Sequence, residues 1–74
     1  MIILKNRVKE LRKQQNISQE ALARSVGVPR QTITSIEVGK YTASLLLAYK
    51  IAKFFNLTIE EVFLFEENQE NIKS

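Results

Sequence analysis

An all-α fold is predicted for this chain of 74 residues by three observations. Apolar residues recur at helical spacing along most of it, Ser and Thr stand where helices start, and two glycines and one proline fall between the periodic stretches. A chain this short buries only about 60% of its unfolded surface and closes a single core. One domain is therefore expected over residues 1–66, with 67–74 as a flexible acidic tail.

Leu4, Val8 and Leu11 recur at i, i+4 and i+7 with basic residues between them, predicting a first helix from Leu4 to Gln15 that Asn16 ends. Ser18 is placed to cap a second helix with Leu22, Ala23 and Val26 as its buried stripe. Gly27 ends it, in the left-handed conformation that a Cβ resists. Pro29 suits the first position of a third helix, where its missing N–H is not needed. That helix runs to about Val38, with Ile33 and Ile36 facing inward, and Gly39 stops it. Ser44 caps a fourth helix that turns Leu45, Ala48, Ile51, Ala52 and Phe55 to the core. Thr58 and Glu61 have the spacing of a capping box for a short fifth helix. Val62-Phe-Leu-Phe65 breaks the helical period and has strand propensity, as does Met1-Ile-Ile3, so a small terminal β-ribbon is expected at one edge. A lone two-stranded ribbon is marginal in water, which points to a second subunit covering it.

The chain has neither histidine nor cysteine, which removes disulfides, thiolate zinc sites and the common nucleophile–base pairs. No enzyme activity, metal or cofactor is expected. Hydrophobic residues make up 45%, yet none of their runs approaches the roughly 18 residues of a membrane span. Lys5, Arg7 and Lys9 follow the apolar start, the reverse of a signal peptide, so a cytoplasmic protein without a membrane partner is expected. The net charge of +3 divides unevenly: residues 1–55 carry +7 and residues 56–74 carry −4. The basic part is a candidate polyanion-binding face, although charge alone fits an ordinary solvated surface better.

The informative block runs from Ile17 to Lys40. Two short helices joined at a glycine, with small Ala23 permitting close approach, have the geometry of a helix-turn-helix, whose second helix enters the major groove of DNA. Ser18-Gln19-Glu20 with Leu22-Ala23, then Val26-Gly27-Val28, Arg30-Gln31-Thr32-Ile33, Ile36-Glu37, Gly39-Lys40 and Leu47–Ala52 follow one another in a familiar order and spacing. From about Asn6 to Phe63 the sequence resembles the phage-repressor and Cro type helix-turn-helix family, the xenobiotic-response-element family of regulators. The resemblance implies a five-helix repressor-like DNA-binding domain with its motif at about 18–38.

By the same resemblance, Arg30, Gln31, Thr34 and Ser35 are implied to read bases: Arg suits guanine, Gln suits adenine, and a Thr methyl meets a thymine methyl. Gln19, Thr32, Lys40 and Tyr41 are implied to contact phosphates. Gln19 also fits a plain helix start, Lys40 a partner for the helix dipole, and Thr34 and Ser35 small exposed positions. Arg12 and Glu37 are implied to form a partly buried ion pair. Two positions depart from the family pattern: Pro29 replaces a capping Ser or Thr, and Val38 replaces an Asn.

The function expected is sequence-specific transcriptional regulation, most simply repression by a homodimer on a two-fold operator. Phe63, Leu64 and Phe65, with apolar neighbours on the fourth and fifth helices, are the expected dimer interface. The partners expected are double-stranded DNA and a second copy. The acidic stretch Glu66–Glu70 fits a solvated disordered end better than a handle for a protein partner such as a toxin or an anti-repressor, the rival reading.

Overall fold

The computed structural model describes residues 5–40 and 43–64, which form five helices: α1 (Val8–Gln14), α2 (Gln19–Val26), α3 (Arg30–Glu37), α4 (Leu45–Phe54) and α5 (Ile59–Val62). Every helix contributes to one core, whose fully buried side chains include Val8, Leu22, Ile33, Ile36, Ile51, Val62 and Phe63. Burial of one such side chain contributes about 1.5–3 kcal/mol.

The start of α1 is later than its periodicity predicts. Asn6 Oδ1 accepts the Val8 N–H at 3.1 Å, so the helix begins at Val8. The preceding residues are extended instead: Arg7 N–H donates to the Val62 carbonyl at 2.8 Å, and Leu64 N–H to the Lys5 carbonyl at 2.9 Å. Asn6 and Phe63 thereby form an isolated antiparallel bridge. This corrects the strand expected over 62–65: Val62 closes α5, and the pairing among the described residues is a single bridge at Phe63, with the flanking bonds made by the Val62 carbonyl and the Leu64 N–H. The partner is Lys5–Arg7; Met1–Ile3 and Phe65 lie outside the described residues.

Ser18 caps α2 by accepting from Ala21 N–H at 3.0 Å, and Ser44 caps α4 by accepting from Leu47 N–H at 3.2 Å. Thr58 and Glu61 complete the capping box of α5. Pro29, by contrast, is not the first helical residue. Its ψ of 151° is extended, so it occupies the N-cap position without a side-chain acceptor, and Arg30 opens α3.

The first four helices end alike. Asn16, Gly27, Gly39 and Asn56 have φ between 56° and 80°, and the next residue donates its N–H to the carbonyl five residues back. This closure satisfies carbonyls that a helix end leaves unpaired, and it needs a residue that tolerates left-handed backbone.

One core assignment on α4 is corrected. Leu45 is 77% exposed, while Leu47 is buried beside Ala48, Ile51, Ala52 and Phe55. With Ser44 as the cap, Leu45 is the first helical residue, and the buried stripe starts two positions later at Leu47.

Candidate nucleic-acid interface

Helices α2 and α3 pack closely because Ala23, only 2% exposed, keeps the contact thin. α3 is divided lengthwise. Ile33 and Ile36 are buried, whereas Arg30, Gln31 and Thr34 are exposed and Ser35 is half-buried. Positions 30, 31, 34 and 35 fall at i, i+1, i+4 and i+5 and share a face, because the helical period is 3.6 residues. The apolar stripe thus sets α3 into the core and leaves a polar surface outward.

Arg30 borders a shallow recess with Arg12, Ser18, Gln19 and Glu20, so the starts of α2 and α3 lie side by side. α3 begins with no side-chain cap and no acidic residue in its first turn, leaving backbone N–H groups there for an outside acceptor. Thr32 is half-buried on the other flank, beside Val28, Ser44 and Lys50. Lys40 is exposed directly after the αL turn at Gly39, and Tyr41 lies outside the described residues.

Beneath this surface sits a charged pair. Arg12 Nε donates to Glu37 Oε2 at 2.7 Å and Arg12 Nη2 to Glu37 Oε1 at 3.3 Å, with the side chains 11% and 3% exposed. Arg12 Nη1 also donates to the Ile17 carbonyl at 2.9 Å, tying the end of α1 to the pair. Asn6 Nδ2 donates to the Ile36 carbonyl at 2.8 Å, holding the α3 end from the opposite side. Among the described residues no buried side-chain polar atom lacks a partner.

Gln19 joins the pair to the surface. Its Nε2 donates to Glu37 Oε1 at 3.0 Å, and its Oε1 accepts from the Thr34 hydroxyl at 3.1 Å. One Nε2 proton remains for an outside acceptor. Sequence reading missed this link, because the partners are 15 and 18 positions away and no periodicity relates them. It also missed Lys50, whose place beside Thr32 follows from how α4 crosses the motif.

Phe63 is 2% exposed and belongs to the protomer core, which corrects its expected place in a dimer interface: the bridge to Asn6 folds its ring inward. Leu64 is half-buried, and Phe65 lies outside the described residues. No helix among the described residues is long and apolar enough to cross a membrane.

Two short helices locked by a left-handed glycine, the second with one face in the core and a polar face outward, define a helix-turn-helix DNA-binding domain. Residues 8–62 match the helix-turn-helix family model HTH_3. Over 66 residues the chain is 52% identical to an uncharacterized HTH-type transcriptional regulator, MJ0272, of Methanocaldococcus jannaschii, covering 89% of this chain and 100% of that one. It is 55% identical over 64 residues to the uncharacterized HTH-type regulator YgzD of Bacillus subtilis, covering 86% and 97%. In three dimensions it resembles the restriction-modification controller protein C.AhdI from Aeromonas hydrophila, with a TM-score of 0.69 and 33% identity over 74% of this chain and 83% of that one. The chain belongs to the HTH_3 helix-turn-helix family and is a transcriptional regulator with a helix-turn-helix DNA-binding domain.

Proposed function

We propose that the protein binds a two-fold operator as a homodimer, lays α3 in the major groove of each half-site, and represses by occluding polymerase. The observation that carries this reading is the lengthwise division of α3, whose buried Ile33 and Ile36 fix the helix while Arg30, Gln31 and Thr34 stand outward. Arg30 and Gln31 are the main base readers, with Thr34 and Ser35 beside them. Gln19, with its remaining Nε2 proton, and Thr32, Lys40 and Tyr41 grip phosphates on either side. The uncapped first turn of α3 adds backbone donors to that grip.

Base reading and phosphate gripping have different signatures, and one set of titrations separates them. Gln31→Ala costs about 1–3 kcal/mol per half-site on the preferred operator and leaves random duplex unaffected, since it removes no charge. Lys40→Ala weakens all duplexes alike and flattens the plot of log affinity against log salt by about one unit for each phosphate the lysine had neutralised. Equal weakening on operator and random DNA by folded Gln31→Ala would remove α3 as the reading element.

A further inference from the structure

Glu37 sets the direction of a chain of hydrogen bonds that ends on the exposed face of α3. Its carboxylate can only accept, and Oε1 receives Gln19 Nε2 at 3.0 Å. The amide of Gln19 therefore turns its NH2 toward Glu37 and its oxygen toward Thr34, 3.1 Å away. That oxygen also only accepts, so in this contact the Thr34 hydroxyl is the donor. The other neighbour of the hydroxyl, the Arg30 carbonyl at 3.3 Å, is an acceptor as well. With either neighbour the proton is spent inside the protein, and Oγ1 offers only lone pairs to the outside.

We propose that this relay makes Thr34 an acceptor-only reader, selecting a base that presents an exocyclic amino group in the major groove, adenine or cytosine, against the carbonyl oxygens of guanine and thymine. An unrestrained threonine hydroxyl serves either polarity, because it donates or accepts according to its rotor. Here both neighbours of the hydroxyl are acceptors, and the nearer one is oriented by a carboxylate that Arg12 holds in place at 2.7 Å. The inference rests on the reading of α3 as the recognition helix, and it assigns to the hydroxyl a discrimination that a methyl contact with thymine does not supply.

The test begins with selection of bound duplexes from a random pool by the full chain. Thr34→Val, which keeps the shape and removes the hydroxyl, and Thr34→Ser, which keeps the hydroxyl, go through the same selection after melts show that they fold. Thr34→Ala replaces the valine variant if that one does not. One position in each half-site is expected at which the wild type and Thr34→Ser prefer adenine or cytosine and Thr34→Val has no preference. At that position an analogue without the amino group, purine for adenine or pyrimidin-2-one for cytosine, weakens the wild type by about twofold to tenfold, the net scale of one hydrogen bond. The same analogue leaves Thr34→Val unchanged. A hydroxyl-dependent preference for guanine or thymine, or no hydroxyl-dependent position, overturns the acceptor-only assignment. So does an equal analogue effect on Thr34→Val. The reading of α3 survives those results if Gln31→Ala still alters the selected sequence, whereas a wild type that enriches no sequence overturns both.

Discussion

At the scale of single residues, Glu37 has the most structural consequence for its size. Its carboxylate, 3% exposed, accepts from two nitrogens of Arg12 and from Gln19, and so links α1, α2 and α3 through one group. A buried ion pair is weak evidence for net stability, because desolvation offsets its Coulombic gain, but breaking one side strands the other. Arg12→Met leaves the Glu37 carboxylate buried without its cation and is expected to cost about 3–5 kcal/mol, a large part of the stability of a domain this small. The double variant Arg12→Met/Glu37→Met removes both charges and should cost less than the two single losses added together. Urea unfolding of the three variants measures this. A loss for Arg12→Met below about 0.5 kcal/mol, the scale of an exposed pair, would show the charges to be solvated instead.

At the scale of elements, the four αL closures carry a prediction of their own. Asn56, with a φ of 61°, occupies at the end of α4 the position that glycine occupies after α2 and α3. Left-handed backbone costs a residue with an ordinary Cβ about 1–2 kcal/mol, which asparagine reduces and glycine escapes. Asn56→Ala is thus expected to lower stability by about 1 kcal/mol and Asn56→Gly to hold or raise it, read by thermal melts. Equal losses by both variants would mean that a side-chain interaction of Asn56 matters more than its backbone. Most of the helices were legible in the sequence because their signals are local. Ser18, Ser44 and the Thr58–Glu61 box mark starts, and spacing marks the buried stripes of α2 and α3. What spacing misjudged was settled by distant partners. Leu4 extends the α1 pattern, but pairing of residues 5–7 with 62–64 ends the helix at Val8, and the same pairing removes Phe63 from the surface. The outward face of α3 was readable for the same local reason, since burial of Ile33 and Ile36 leaves Arg30, Gln31 and Thr34 outside. The bonds of Gln19 were not, because only the α2–α3 crossing brings Glu37 and Thr34 within its reach.

At the scale of the whole molecule, the remaining exposed apolar surface bears on assembly. Folding hides Phe63 but leaves Leu45 at 77%, Leu46 at 62% and Tyr49 at 51% exposed, on adjoining positions of the first turns of α4. Single exposed apolar residues are ordinary, whereas a contiguous group on one helix marks a contact surface. Two copies joined through α4 and Leu64 would turn a weak half-site into a strong operator, because each protomer supplies one α3 to successive major grooves about 34 Å apart. The dimer is therefore expected at micromolar concentration, sedimenting at twice the 8.5 kDa of one chain. Leu45→Glu places a charge on a side chain that the protomer core does not use, so it should shift the equilibrium to monomer while leaving the melt of the protomer nearly unchanged. Leu64→Glu, at a half-buried position, should act in the same direction with some loss of stability. The monomeric variant should bind an isolated half-site as the wild type does and lose the added affinity of the paired site, which separates a defect of assembly from a defect of reading. Should the wild type sediment as a monomer that neither substitution alters, the two-fold operator falls with the dimer, and α3 would have to find its sites singly.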